Sequence, residues 1–327
     1  MSHVDGVLPV GESLQPGTRS DIVRIFSWGA SGVSLFFVLS GFVIAWSWSP
    51  GVSASTFLMR RAARIWPAHA VVWLAFVVAG AAGIVPVSRW PGALASLFLV
   101  HTWVPGSGWA NAVNPVAWTL GCEAFFYLTF PLYIGRLAAL STRGLVTVAL
   151  SAGALSSIVM ITILEPRGVT VSTFPPVRAL EFLLGVIAGL VLRRGAAPRL
   201  APPPVLVLAA VGANALQWWI PALRGVALAS MPWIFLALVV RLAADDVGRR
   251  PSRFLAARVT TWAGELSFAF YLCQLLSLAL VRHVVTPTTW LASSLVLSAW
   301  LGANLVLAVA LHERVERPGV RLARRRA

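Results

Sequence analysis

Three carboxylates fall inside long apolar runs: Glu123 in NPVAWTLGCEAFFYL, Glu181 in FPPVRALEFLLG and Glu265 in WAGELSF. An ionisable group in such a setting is costly to bury and marks a candidate for proton transfer, pairing or binding. Glu123 is the candidate for chemistry; the plainer reading gives it an interhelical hydrogen bond or an arginine partner. Glu181 follows Arg178 by three residues, so the two meet on one helix face as a structural pair. Glu265 stands near the start of its run and suits a hydrated interface.

Arg60, Arg61 and Arg64 form a second group, in RRAARIWP. They anchor a helix start, yet basic charge there opposes the helix dipole. On a helix opening at about residue 60, Arg61 and Arg64 are neighbours that repel unless an anion lies between them. A phosphate-bearing ligand fits, because arginine binds phosphate through two parallel hydrogen bonds. An anionic lipid headgroup offers the same chemistry.

The five histidines are His3, His69, His101, His283 and His312. His69, His283 and His312 lie near the ends of apolar runs, where an interfacial position is expected. His101 sits in a short apolar segment that leaves an interface or a cavity open. There is no His-x-x-x-His or Cys-x-x-Cys spacing, so no metal is expected. HERVE, from His312, lacks the second histidine of a zinc protease helix. The chain also has no Gly-x-Ser-x-Gly elbow, Walker loop or dinucleotide fingerprint.

The elements that must position these groups are membrane helices. Of 327 residues, 58% are hydrophobic and 11% charged, with a mean hydropathy of +0.81. A soluble domain carries about 25% charged residues. The 15 tryptophans suit interfacial belts. Net charge is +15 and every basic residue is arginine. The arginines cluster between apolar runs, so membrane topology explains them better than nucleic acid does, and no nucleic-acid partner is expected. Cys122 and Cys273 lie in apolar runs and indicate no disulfide framework.

Nine spans are expected, at 30–48, 68–86, 115–134, 145–164, 178–193, 203–220, 225–241, 262–284 and 290–311. The run 93–104 is too short to cross, since a crossing takes about 20 residues, and is expected to be re-entrant. With Arg60, Arg61 and Arg64 cytoplasmic, the alternation puts Arg136, Arg143, Arg193, Arg194, Arg199, the arginines of 241–260 and the tail on the same side. The first visible span then runs inward, so residues 1–29 begin outside or end an incomplete helix.

GVSLFFVLSGFVIAWS, FLMRRAARIWP and NPVAWTLGCEAFFYLTFPL together resemble the three diagnostic blocks of the acyltransferase 3 family, membrane O-acyltransferases of surface glycans and antibiotics. FPPVRALEFLLG and GELSFAFYL resemble later, weaker blocks, and the likeness covers nearly the whole chain in order. The resemblance implies ten spans and an acyl-CoA donor. It implies a domain over 1–312, an incomplete first helix and a basic cytoplasmic tail over 313–327. The family's Arg-x-x-Arg falls on Arg61 and Arg64, its acidic position on Glu123, and its functional histidine on His3. The family arginine eleven residues before that histidine would precede Met1. Gln274 stands where many relatives carry histidine.

The expected fold is therefore an all-α polytopic bundle of nine visible spans, a truncated first span and a short re-entrant segment. The expected place is the cell's inner (plasma) membrane, among membrane lipids, with the C-terminus cytoplasmic. The resemblance implies transfer of an acetyl or short branched acyl group to a hydroxyl of a glycan or macrolide-like acceptor. Arg61 and Arg64 would hold the donor, His3 would act as base, and Glu123 would orient it. A transporter or flippase, or an inactive family member, are the rival readings. The halves show no repeat of the transporter kind.

Overall fold

A computed structural model describes residues 31–87, 90–164, 173–196, 198–248, 250–285 and 290–326. These residues form helices and turns, with no strand among them. The helices are α1 (Gly32–Ser47), α2 (Ala54–Ala81), α3 (Trp90–Leu97), α4 (Trp118–Ala139), α5 (Thr142–Val159), α6 (Pro175–Arg193), α7 (Pro203–Trp219), α8 (Arg224–Val247), α9 (Arg258–Val284), α10 (Trp290–Leu311) and α11 (Arg317–Arg326). A π-helical turn, His312–Glu316, joins the last two.

Among the described residues, six helices are long and apolar enough to cross a membrane: Ala54–Ala81, Thr142–Thr162, Pro175–Arg193, Arg224–Val247, Arg258–Val284 and Leu291–Ala323. Gly32–Ser47 and Pro203–Gln217 are apolar but shorter. The segment expected to be re-entrant holds the end of α3, whose 8 residues make about 12 Å of helix at about 1.5 Å per residue. It then turns into the 3-10 helix His101–Trp103.

Two expectations change. The helix that carries the arginines opens at Ala54 rather than near residue 60, so Arg60 to Arg64 stand beyond its first turn. ASTFLM continues a helical pattern without a breaker, and nothing in its hydropathy marks the start. The last helix also runs past its apolar residues, which end at Leu311 as expected, and continues through the π-helical turn into the arginine-bearing α11.

The chain divides into two compact units. One holds residues 29–54 and 122–257, hence α1, most of α4, and α5 to α8. Its centre is the pairing of α1 with α6, a seam of small residues. A Cβ on Gly41 would strike the Phe182 carbonyl, and one on Gly185 would strike the Val38 carbonyl. At Gly189 it would stand 2.9 Å from the Phe42 carbonyl. Glycines let helix backbones approach where side chains would hold them apart, the Gly-x-x-x-Gly device of membrane helices. Phe126 stacks on Phe182 at 4.8 Å and meets Phe37 edge-on at 5.2 Å, which ties α4 to the same seam.

The second unit holds 55–121 and 258–327 among its residues, with most of α2, then α3, and α9 to α11. Trp73 on α2 donates to the Ala93 carbonyl at 2.9 Å. Asn304 on α10 donates to the Phe270 carbonyl of α9 at 3.1 Å and accepts from Ser277 at 3.1 Å. Pro67 inside α2 cannot donate to the Ala63 carbonyl four residues back. α11 approaches that freed carbonyl with Gly319, where a Cβ would lie 2.9 Å from it.

Candidate active site

Glu123 enters the helix on the second turn of α4 and is 3% exposed. Its Oε1 accepts from Tyr127 at 2.7 Å and from Ser40 on α1 at 2.8 Å. The two hydroxyls themselves stand 3.4 Å apart. Tyr127 lies one turn along α4 from Glu123, so its position follows from helical spacing. Ser40 is brought by the α1 backbone, which the glycine seam holds close to α6. A carboxylate buried among helices needs such donors, because an unpaired charge there is prohibitive. Two hydroxyls on one oxygen restrict the orientation of the carboxylate. This arrangement lies wholly within one unit.

Glu181 is fully buried in the same unit. Its Oε1 accepts from Arg178 at 2.7 Å and from Ser34 at 3.2 Å. The pair expected from the three-residue spacing is formed, and it gives Glu181 a structural explanation.

Arg61 and Arg64 lie on α2 in the other unit, three residues apart on one face. The Arg61 guanidinium sits over the Phe57 ring, 5.5 Å from its centroid, an arrangement that fixes the cation without neutralising it. Arg60 and Arg64 are exposed, and neither forms an ion pair among the described residues. α2 contains no acidic residue, so the positive field along Arg60–Arg64 is not offset by its own helix. His3 lies outside the described residues.

Of the remaining histidines, His69 and His312 differ from their expected interfacial positions. His69 is fully buried, fifteen residues into α2, and donates from Nε2 to the Ser96 carbonyl at 2.9 Å. His312 is buried and its Nδ1 pairs with Glu316 at 2.8 Å. A π-helical turn makes that contact, and its only advance signal was the four-residue spacing. His283 is exposed. Glu265, near the start of its helix, is exposed and pairs with Arg317 at 3.3 Å. No group of three or more His, Cys, Asp or Glu residues able to hold a metal occurs among the described residues.

A family model described as an acyltransferase domain matches residues 1–312. The chain belongs to the acyltransferase 3 family. Acyltransferase MdmB of Streptomyces mycarofaciens is 32% identical, over 95% of this chain and 86% of its own length. The exopolysaccharide production protein ExoZ of Rhizobium meliloti (strain 1021) is 31% identical over 92% of each chain. Nodulation protein 10 of Rhizobium leguminosarum bv. viciae is 29% identical over 46% of this chain. No solved structure matches. The acyltransferase 3 chain described here is thus a helical membrane protein of an acyltransferase family, with its buried Glu123 held by two hydroxyls.

Proposed function

We propose that the chain moves an acetyl or short branched acyl group from acyl-CoA to a hydroxyl of a carbohydrate or glycosylated metabolite. The observation that carries this is Glu123, a buried carboxylate oriented by Ser40 and Tyr127 in a chain that matches an acyltransferase family. Arg61 and Arg64 take the phosphates of the donor as bidentate partners. His3 is the general base. As the acceptor oxygen attacks the thioester carbonyl carbon, its proton passes to the imidazole. The carbon–sulfur bond then breaks, and the departing CoA sulfur takes the proton from the imidazolium. Glu123 orients the imidazole and offsets its transient charge. The relative named as an acyltransferase favours acyl transfer, and the one named as an exopolysaccharide production protein favours a glycan as acceptor.

The test is acyl transfer by the purified protein, with acetyl-CoA and short branched acyl-CoAs against macrolide and membrane-glycan acceptors. Transfer that is lost in His3→Ala and retained in His283→Ala supports the reading. Turnover by His3→Ala equal to the parent chain removes His3 as base.

A further inference from the structure

The unit that carries α2 contains a cluster of polar side chains unused by the roles above. His69, Ser96, His101 and Thr102 are 0%, 1%, 1% and 3% exposed. A carbonyl can only accept, so the His69 nitrogen facing the Ser96 carbonyl carries the hydrogen. In the neutral ring the other nitrogen, Nδ1, is then a bare acceptor, and it has no hydrogen-bond partner. Neither ring nitrogen of His101 has one, nor have Ser96 Oγ and Thr102 Oγ1. The Ala95 carbonyl lies near the His101 ring without meeting hydrogen-bond geometry. Leaving a buried polar atom unpaired costs about 1–3 kcal/mol, so a group of them in one place asks for a ligand.

The segment that presents this cluster is held in place from several sides. Trp73 and His69, one turn apart on α2, fix the carbonyls of Ala93 and Ser96. Leu99 turns the chain toward His101 at a φ of 60°, a conformation that a leucine adopts only under constraint. Gly121 lets the first turn of α4 close over the segment; a Cβ there would lie 2.9 Å from Thr102 Oγ1 and 3.2 Å from the Leu99 carbonyl.

The donor and acceptor set selects the ligand. His101 lies outside the candidate spans, and burial with His69 nearby holds its imidazole down to about 4, so the ring is neutral near pH 7. The imidazoles then offer one unspent N–H, on His101, and two lone pairs. The hydroxyls of Ser96 and Thr102 can donate as well, but none of these donors is charged and the two imidazole lone pairs repel an anion. A metal ion lacks a third ligand of the usual kind among the described residues.

We propose that this cluster binds an uncharged hydroxyl, which donates to His69 Nδ1 and accepts from the N–H of His101. The hydroxyl has two possible sources, a resident water or the alcohol of the acceptor. The second source rests on the reaction proposed above; the first does not.

The experiment compares His101→Leu and His101→Gln with the parent chain, full length, in lipid nanodiscs. Thermal unfolding is read first. With a hydroxyl bound, His101→Leu strands it and lowers Tm by about 3 °C or more. His101→Gln, which keeps a donor and an acceptor, recovers at least half of that loss. A Tm for His101→Leu at or above the parent overturns the proposal, because apolar replacement of dry, unpaired groups is neutral or stabilising. Equal loss in both variants overturns it too. If His101→Leu does not accumulate, His101→Phe decides, since it fills the volume of the ring and removes the N–H from which the hydroxyl accepts. An unchanged Tm in that variant sinks the proposal.

Kinetics with acetyl-CoA and a hydroxylated macrolide then identify the source. If the acceptor alcohol binds here, His101→Gln and His101→Leu raise its KM roughly five- to tenfold, with the acetyl-CoA KM unchanged. A lowered Tm with an unchanged acceptor KM assigns the hydroxyl to water. If the parent chain transfers no acyl group to any alcohol, the proposed reaction fails, while the Tm comparison still decides the cluster.

Discussion

Glu123 takes both of its identified hydroxyl donors on one oxygen, Ser40 and Tyr127 at 2.8 and 2.7 Å. Removing either hydroxyl leaves the other to hold the carboxylate. Tyr127→Phe and Ser40→Ala should therefore each lower kcat by roughly fivefold, the worth of about one hydrogen bond. The double variant should fall further than the product of the two, because the donors share an acceptor. A double-mutant cycle on kcat checks this. Glu123→Gln, which keeps the shape and loses the charge, should lower kcat by about a hundredfold or more without raising the acyl-CoA KM. The donor arginines separate in the opposite way. Arg64→Ala should raise the acyl-CoA KM about tenfold, the cost of one charge-assisted contact, and leave the acceptor KM unchanged. Steady-state kinetics with each substrate varied in turn distinguish the two patterns. Glu123 stood out in the sequence because a carboxylate in an apolar run is rare. Ser40 and Tyr127 did not, since hydroxyls are ordinary in membrane helices and only tertiary packing brings them to a particular carboxylate. Burial of His69 and the His312–Glu316 pair were hidden for the same reason: which face of a uniformly apolar helix turns inward is not written in its hydropathy.

At the scale of elements, apolar length marked where helices lie, though of the nine expected spans six correspond to helices long and apolar enough to cross a membrane among the described residues; runs bounded by arginine or proline were readable in the chain. The devices that lock the helices together were less so. Arg193 and Arg194 read as loop charges, yet each caps the C-terminal end of a different helix. Arg193 donates to the carbonyls of Ala45 and Trp48 at 3.0 and 2.7 Å, and Arg194 to those of Ala138 and Leu140 at 2.8 Å each. Cations there satisfy carbonyls that the helix leaves open and complement the negative end of its dipole. The glycine seam had the same ambiguity, because glycine in a membrane helix marks either a close approach or nothing. The structure separates the two cases. Gly41 and Gly185 face backbone carbonyls of the partner helix, whereas Gly212 on α7 has no neighbour within 4 Å of a Cβ position. Gly185→Leu should force α1 from α6, lower Tm by several degrees and displace Ser40 from Glu123, so that activity falls as well. Overpacking of this kind costs roughly 1–3 kcal/mol or more. Gly212→Ala should be neutral or slightly stabilising, since alanine is the better helix former. Thermal unfolding of both variants in the same nanodiscs, with turnover alongside, reads the contrast.

Across the whole molecule, the charge pattern makes a claim about sidedness. The net charge is +15, and arginines gather at 60–64, at 193–194, around 241–258 and in the tail, with apolar helices between. Positive loops are retained on the cytoplasmic side because arginine is costly to move across the bilayer, and the bias is strongest within short loops. α9 begins beside one of these clusters, and α10 runs into the arginine-bearing helix α11. If both clusters are cytoplasmic, the residues between α9 and α10 must face the other side. Alkaline phosphatase inserted after Val285 should therefore be active, and the same enzyme fused after the C-terminus should be inactive. A fluorescent protein that matures only in the cytoplasm should give the reverse pattern. The donor assignment depends on this result. Acyl-CoA is held in the cytoplasm, so Arg61 and Arg64 can receive its phosphates only if their end of α2 lies there. A C-terminal phosphatase that is active would place the tail arginines outside and, by the same alternation, would take the donor site from Arg61 and Arg64.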